Sequence, residues 1–260
     1  MIDIHCHPLP GIDDGAKSFE VAVGMCRVAA VDGISHLVAT PHCNFEYSFD
    51  PALNRQLLGR LQETIGEKPQ LLLGCDFQLS YDNIQRCVER AKDFTINQTS
   101  YLLVELPDQF IPDHMNRVYF DIQKAGLTPI ISHPERNLAI RRRPELIPQW
   151  VSNGCLMQVT AMSFTGGFGS QARKFADRLF QNGLIHFFAS DAHNLRERPP
   201  ILSRCYRKVA KARGEEIADL LMRKNPEAVI HGRPLPPQPN WAQDPSEKGK
   251  RRWFSFLWGR

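Results

Sequence analysis

Short apolar runs that end in polar clusters recur along the whole chain. Four of them follow a glycine at the end of a helix-like segment, and they read VDGISHLVATPH, KAGLTPIISHPER, SNGCLMQVT and QNGLIHFFASDAH. Three further runs, MIDIHCH, QLLLGCD and YLLVEL, also end in acidic or imidazole groups. Near-continuous apolar strands separated by helices are typical of a parallel sheet whose outer face is covered. We therefore predict about seven parallel strands.

The segments between these runs predict helices, among them 18–31, 53–65, 113–125 and 170–182. Four glycines stand where a left-handed residue commonly closes a helix: Gly33, Gly126, Gly154 and Gly183. Seven strand and helix units favour an α/β protein with a closed or nearly closed barrel, and an open doubly wound sheet is the alternative. In barrels of this kind the chemistry lies where the strands end.

Side chains that can bind a metal ion follow six of the seven predicted strands. They are His5, His7, Asp14, His42, Asp76, Glu105, His133, Asp191 and His193. His5 and His7 leave one short strand on the same side, because alternate strand residues share a face. The pattern predicts a metal site. The other histidines stand before strands or in helical segments, and we interpret them as structural or solvated: His36, His114, His186 and His231.

Composition predicts an ordinary globular protein that can bury a sizeable core, with 260 residues of which 42% are hydrophobic. No apolar run approaches the ~20 residues that span a bilayer, and no signal peptide is recognisable, so we expect a cytoplasmic location. The net charge is +4, but residues 233–260 hold six Lys/Arg and two Asp/Glu, which leaves 26 of each before them. The body therefore offers no electrostatic case for nucleic acid.

The seven cysteines are scattered and form no Cys-x-x-Cys pair, which argues against a disulfide framework or a zinc ribbon. None of them is followed by arginine at the sixth place, as a thiolate phosphatase would require, and no Gly-x-Ser-x-Gly elbow is present. We expect most of these thiols to be small buried side chains.

The chain divides into a body, residues 1–232, and a C-terminal tail, residues 233–260. The tail opens with a Pro-rich stretch and ends in basic and aromatic residues, KGKRRWFSFLWGR. One interpretation is a disordered terminus, and the other is a flexible segment that docks on an anionic membrane face or on a membrane-bound partner.

Six motifs, in order, carry a resemblance to a known family: MIDIHCHPLPGIDDGAKS, VATPH, VELP, SHPERN, TGGFGSQARKFA and ASDAHNLRERPP. The chain resembles the PHP superfamily (polymerase and histidinol phosphatase), and within it the CpsB/YwqE-type bacterial tyrosine-protein phosphatases of capsule and exopolysaccharide synthesis. The likeness runs from Met1 to about Gly232. It implies a distorted (β/α)7 barrel and a metal-dependent phosphatase.

The resemblance also implies three ions. His5, His7 and Asp191 would hold the first, Glu105 and His133 the second, with Asp76 bridging the two. Asp14, His42 and His193 would hold the third. The family usually has Glu at the bridging position, so Asp76 is a departure. The nitrogen and oxygen donors suit Mn²⁺, Fe or Zn²⁺; the resemblance favours Mn²⁺, and Mg²⁺ is a further alternative.

Two arginines are candidates for binding phosphate. Arg136 lies three residues beyond His133, and Arg198 matches a family arginine. For Arg136 the alternative is an ion pair with Glu135 or Asp191. The segment TGGFGS is a further candidate, because backbone N–H groups before a helix can bind an anion.

The resemblance implies that the substrate is phosphotyrosine, in the tail of a bacterial tyrosine autokinase. Histidinol phosphate or another small phosphomonoester is the alternative substrate, because a fold does not fix its substrate. An amidohydrolase barrel is a weaker alternative, since no strand ends in the lysine that such sites often use. A metal-binding scaffold without catalysis is the remaining hypothesis.

Overall fold

The computed structural model describes residues 1–79 and 81–239. Its strands are β1 (Ile2–Cys6), β2 (His36–Ala39), β3 (His42–Cys43), β4 (Gln70–Leu73), β5 (Asp76–Gln78), β6 (Tyr101–Glu105), β7 (Thr128–Ser132), β8 (Leu156–Thr160) and β9 (Phe187–Ala189). Its α-helices are α1 (Phe19–Val31), α2 (Pro51–Ile65), α3 (Tyr81–Phe94), α4 (Met115–Lys124), α5 (Leu138–Arg142), α6 (Leu146–Ser152), α7 (Ala161–Thr165), α8 (Gly169–Gln181), α9 (Ser203–Arg213), α10 (Glu215–Asp219) and α11 (Asn225–Ile230). A 3-10 turn spans Ile96–Gln98, and a π-helical turn spans Leu220–Lys224.

The strands are parallel and form two sheets, in the orders β1-β2-β4 and β3-β5-β6-β7-β8-β9. β2 and β3 are two pieces of one path that breaks at Thr40 and Pro41, and β4 and β5 are two pieces that break at Gly74 and Cys75. The nine strands of the described chain therefore correspond to the seven predicted apolar runs. The two breaks divide the ring into its two sheets.

Hydrogen bonds next to the strands close the ring. His7 N donates to Ala192 O at 2.9 Å, and Asp191 N donates to His5 O at 2.8 Å, so β1 is joined to the chain that leaves β9. At the break, Asp76 N donates to Pro41 O at 3.1 Å. The predicted single-domain, distorted seven-unit α/β barrel is confirmed, and the doubly wound sheet is not found in the described residues.

The helices also begin and end close to the predicted positions. Ser18 and Asp50 accept hydrogen bonds from the first amides of α1 and α2, and Pro51 occupies the start of α2, where its missing N–H costs nothing. The four glycines that were predicted to close helices all have positive φ, from 66° to 88°. All seven cysteines are buried thiols.

Apolar side chains fill the barrel on both faces of its wall. A small cluster joins residues of β1, β6, β7 and β9, including Ile4, Leu103, Ile130 and Phe187, and such residues can share one cluster only inside the ring. A larger cluster packs the helices against the outside of the strands. Val229 of α11 joins the interior cluster, so α11 covers the end of the barrel where the strands begin. The opposite end is left for the polar strand termini.

The described part of the predicted tail contacts the body. Tyr101 Oη donates to Arg233 O at 2.7 Å, Leu235 packs on the interior cluster, and Gln238 exchanges hydrogen bonds with Asn225. The basic and aromatic residues 248–258 lie outside the described residues, and their membrane contact stays a prediction. No helix among the described residues is long and apolar enough to cross a membrane.

His186 lies just before β9 and is hydrogen-bonded to β8, and its burial leads to a prediction of how the stability of the fold depends on pH. Its Nδ1 accepts a hydrogen bond from Met157 N at 3.1 Å, and burial lowers its pKa to about 4. The unfolded chain has a pKa of about 6.5, so the neutral ring stabilises the fold above that pH and the stabilisation is lost as pH falls toward 4. We expect the free energy of unfolding of the metal-free protein to fall by about 3 kcal/mol from this residue between pH 7 and pH 4.

Denaturant titrations of the metal-free protein at several pH values measure this effect. His186→Asn should flatten the pH dependence by that amount, whereas His231→Asn, which changes an exposed histidine, should keep the parent slope. Equal slopes for the parent and His186→Asn would contradict the prediction.

Candidate metal centre

The nine predicted ligands come together at the carboxyl ends of the strands. His42 and Asp76 begin β3 and β5, the second pieces of the interrupted strands, and they pair with each other there. The donor atoms of the nine side chains fall into four overlapping groups, and the atoms of each group lie within 4.8 Å of one another. The groups are His7, Asp14, His42 and His193; His5, His7 and Asp76; His5, His133 and Asp191; and His42, Asp76 and Glu105. Their role as ligands stays a prediction.

The first part of the centre is built on β1. His5 Nε2 and His7 Nε2 lie 3.1 Å apart, and Asp191 Oδ1 is 3.4 Å from the former and 3.5 Å from the latter. Asp76 Oδ2 is 3.5 Å from His5 Nε2. With metal-to-donor distances of about 2.1 Å, neighbouring donors on one ion stand about 3.0–3.4 Å apart. The observed spacing therefore suits donors that share an ion.

The second part lies beside Asp76. His133 Nε2 is 3.6 Å from Glu105 Oε1 and 3.9 Å from Asp76 Oδ2. His42 Nδ1 is 3.2 Å from the same Asp76 oxygen and 3.6 Å from Glu105 Oε2. A single Asp76 oxygen thus faces three imidazoles. The other, Oδ1, accepts a hydrogen bond from Ser132 Oγ at 3.3 Å.

The third part is the most open to solvent. Asp14 Oδ1 lies 3.4 Å from His42 Nε2 and 3.2 Å from His193 Nε2, and the Asp14 side chain is 44% exposed. His7 belongs to this group as well as to the first. His42 turns one nitrogen to the second part and the other to the third, whereas the resemblance implied a place at the third ion alone.

An unusual shortage of hydrogen bonds indicates that the centre fits a cation. His42 Nδ1 and Asp76 Oδ2 are buried, and although they lie 3.2 Å apart neither of them makes a hydrogen bond of acceptable geometry. Buried polar atoms are rarely left in that state. Burial and the negative charge of Asp76 raise the pKa of Glu105 to about 8, so the carboxylates oppose one another's ionisation. Bound divalent ions would satisfy the donor atoms and compensate this charge.

Neighbouring groups hold the imidazoles in orientation. His5 Nδ1 is 2.9 Å from Gln158 Oε1, and His7 Nδ1 is 2.7 Å from Asp13 Oδ2. Hydrogen bonds of this type fix the ring and leave Nε2 toward the ion. The Asp13 carboxylate also accepts from His42 N at 3.1 Å and from Gly15 N at 2.9 Å, so it ties the loops after β1 and β2 together.

Two predicted ligands have a backbone conformation that is uncommon for residues other than glycine. His133 has a φ of 31° and Asp191 a φ of 50°. Such conformations persist only where the surroundings enforce them, and they concentrate at functional sites. Here the positive φ values occur just after β7 and β9, and both side chains belong to the cluster.

Both candidate arginines contact Asp191. Arg136 Nη1 donates to Asp191 Oδ2, and Arg198 Nη2 lies 2.8 Å from the same oxygen. Burial raises the pKa of Asp191, but the charges of Arg136 and His5 outweigh it and hold the pKa well below its usual range. The ion pair that was the alternative for Arg136 is therefore present with Asp191. A guanidinium has five donors, so this pair leaves others for an anion.

The TGGFGS segment joins α7 to α8 next to these arginines. The amides of Gly166, Gly167 and Gly169 already donate to backbone carbonyls of the α7 turn and of the segment itself. These three groups are not available to an anion in this conformation. Anion binding by this segment stays a prediction, and these three amides do not support it.

Sequence reasoning missed three residues of the site. Asp13 stands beside Asp14 in an Asp-Asp-Gly sequence of a kind that is common in turns, and Phe168 appeared only as part of the TGGFGS motif. Gln158 did carry a signal, because it is a polar residue inside the apolar run LMQVT.

A parallel α/β barrel with imidazole and carboxylate donors at its strand ends defines a barrel metalloprotein. Residues 1–231 match the sequence model of a protein family that is described as capsular polysaccharide synthesis, CpsB/CapC. The tyrosine-protein phosphatase YwqE of Bacillus subtilis (strain 168) is 35% identical over 99% of this chain and 100% of its own length. The putative tyrosine-protein phosphatase CapC of Staphylococcus aureus is 34% identical over 99% and 100%. The chain therefore belongs to the CpsB/CapC family.

Solved structures agree with the fold. Crystal structures of YwqE from Bacillus subtilis and CpsB from Streptococcus pneumoniae, described as unique metal-dependent tyrosine phosphatases, match with a TM-score of 0.85 and 35% identity, covering 92% of this chain and 99% of the other. Histidinol phosphate phosphatase of Lactococcus lactis matches with a TM-score of 0.53 and 15% identity, covering 85% and 94%. The second likeness concerns the fold alone.

Asp76 provides a test of the centre, because its charge faces three imidazoles in a fully buried position. We expect Asp76→Asn to lower the affinity for metal by more than about 10-fold, which is the smaller loss expected when only a hydrogen-bond partner of a ligand is removed. Asp76→Glu, which restores the usual family residue, should resist a chelator at least as well as the parent. Metal analysis after timed chelator treatment measures both.

The matched control is Asp32→Asn, which changes a carboxylate that bonds the start of α9. It should lower stability and leave metal content unchanged. Full metal retention by Asp76→Asn would show that another residue supplies this charge.

Proposed function

We propose that this protein is a metal-dependent phosphatase that removes phosphate from phosphotyrosine in proteins. The observation that supports the proposal is that nine side chains able to bind a metal ion lie together with two arginines at one end of the barrel. The family membership and the names of the relatives support the same activity.

The residues divide the work of phosphate-ester hydrolysis. When bound, divalent ions supply Lewis acidity that activates water and stabilises phosphoryl charge. Asp13 and Gln158 orient His7 and His5 for binding these ions. Arg136 and Arg198, whose side chains are each 23% exposed, provide charged donors for the phosphoryl oxygens.

The thiols do not offer a competing mechanism. Cys6 stands between His5 and His7, but burial raises its pKa well above the ordinary value. Burial likewise raises the pKa of Cys26 and of Cys155 to about 12. A nucleophilic cysteine requires the opposite shift.

Aromatic side chains beside the centre support an aryl phosphate as the substrate. The ring of Tyr47 stacks on His42, with centroids 5.9 Å apart and an angle of 18° between planes. Phe168 lies against both arginines on another side. Aromatic walls of this kind add stacking contacts to the ring of a phosphotyrosine.

The finer assignments complete the proposal. We assign Mn²⁺ as the working ion, with three ions at full occupancy, and the tail of a bacterial tyrosine autokinase as the protein substrate. We place the activity in the cytoplasm, with peripheral contact at the inner membrane face through the C-terminal tail.

Phosphate release by the Mn²⁺-loaded protein tests the function. We expect hydrolysis of a phosphotyrosine peptide from an autokinase tail, loss of activity on chelation and recovery on adding Mn²⁺. Histidinol phosphate should be a much poorer substrate. Hydrolysis of histidinol phosphate without hydrolysis of the peptide would replace the proposed activity by a small-molecule phosphatase, and hydrolysis of neither would favour a metal-binding scaffold.

Arg136 has a specific place in this mechanism. Arg136→Ala should lower kcat/KM by about 10²-fold or more, on the scale of losing one charged donor in the transition state, with metal content unchanged. Arg136→Lys should also be impaired, because a point charge does not replace a planar fork.

Steady-state kinetics together with metal analysis separate these effects. Arg117→Ala is the control, since Arg117 pairs with Asp121 on the exposed face of α4. Parent-level turnover by Arg136→Ala would remove Arg136 from the mechanism.

A further inference from the structure

Phe168 lies at the meeting point of the two arginines. The guanidinium carbon of Arg136 is 4.6 Å from the centre of its ring, and that of Arg198 is 5.6 Å away. Arg136 comes from the turn after β7 and Arg198 from the loop after β9. One aromatic ring between α7 and α8 therefore contacts both cations.

The segment before Phe168 is packed closely enough to present the ring in one place. A Cβ at Gly167 would meet the Met162 side chain at 2.5 Å, and Gly167 N donates to Met162 O at 2.9 Å. Gly166 has a φ of 104°, which closes α7 with a left-handed residue. The backbone just before Phe168 is thus fixed against α7, and the contacts of the ring itself are with the two arginines.

Stacking positions an arginine without using its hydrogen-bond donors. The face of a guanidinium packs on an aromatic ring, whereas the N–H groups point outward from its edge toward an anion. The bonds of Arg136 and Arg198 to Asp191 occupy such donors, and they engage a predicted metal ligand. Arg198 Nε is buried and has no hydrogen-bond partner. The ring is a contact that competes neither with the ions nor with phosphate.

We propose that Phe168 is a positioning residue that holds Arg136 and Arg198 together for binding the phosphoryl group. The inference rests on the proposed phosphatase function and adds a residue through which both arginines are oriented. Without the ring, two long side chains of like charge lose a common support, and ordering them again costs side-chain entropy when phosphate binds.

Binding of inorganic phosphate to the metal-loaded protein, measured by calorimetry, tests the inference separately from catalysis. Phe168→Leu keeps an apolar side chain and removes the π face. We expect its affinity for phosphate to fall about five- to thirty-fold, as two partly exposed cation–π contacts suggest. Phe168→Tyr should stay within about twofold of the parent, because it keeps the ring. Metal content should be unchanged in both.

A double-mutant cycle distinguishes positioning from general packing. In an Arg136→Ala background, Phe168→Leu should lose a large part of its effect on phosphate affinity, because one of its two partners is gone. Phe120→Leu is the matched control, since that exposed ring contacts Arg117 at 5.7 Å on α4. It should bind phosphate as the parent does.

Kinetics with a phosphotyrosine peptide complete the test. Phe168→Leu should raise KM, and Phe168→Tyr should restore it. Parent-like phosphate affinity in Phe168→Leu, or an equal loss with and without Arg136, would overturn the positioning role while leaving the phosphatase function intact. A parent protein that neither binds phosphate nor hydrolyses the peptide would instead overturn the proposed function, and the inference with it.

Discussion

The gathering of four carboxylates and five imidazoles at one end of a barrel is the constraint on which the rest of the structure depends. Most of these groups are buried, so water cannot compensate their charge, and buried charge is costly unless it is paired or binds metal. Asp76 shows the problem most clearly, because its unpartnered oxygen faces three imidazole rings. Divalent cations at this cluster would compensate its charge and give these donor atoms partners.

Buried carboxylates outside the predicted ligand set tie together the chain segments that carry the cluster. Asp3 lies beneath His5 and accepts hydrogen bonds from His5 N at 3.3 Å and Ser190 N at 3.0 Å, which ties the start of the ring to its end. Asp13 performs the same task for the loops that carry His7 and His42. Glu135 accepts from Thr160 N at 3.1 Å and joins the turn after β7 to the end of β8. β8 carries no predicted ligand, yet it supports the centre through the bond from Thr160 to Glu135 and the bond between Gln158 and His5.

The substrate side of the centre is organised by charge and by aromatic rings. The Asp14 side chain is exposed to solvent on one side of the centre, while Arg136 and Arg198 lie on another side against Phe168. Carboxylates and imidazoles are thus gathered in the cluster, and two guanidinium groups stand beside it. This arrangement of charge suits a phosphatase of the CpsB/CapC family, since one group of side chains would bind cations and the other would bind the phosphoryl anion.

The sequence by itself determined the number of strand units, the positions of the main helices and the residues that gather at the strand ends. Hydrophobic periodicity is a local property, and parallel strands carry their carboxyl ends to one edge, so His5 and Asp191 could be placed together without coordinates. Only the tertiary structure decided which side chains support them. Gln158 meets His5 across 153 residues, Asp13 rather than Asp14 holds His7, and Phe168 contacts two arginines from different loops. The physical reason is that a hydrogen bond or a stacking contact depends on where separate strands and loops converge, which no local pattern of residues encodes.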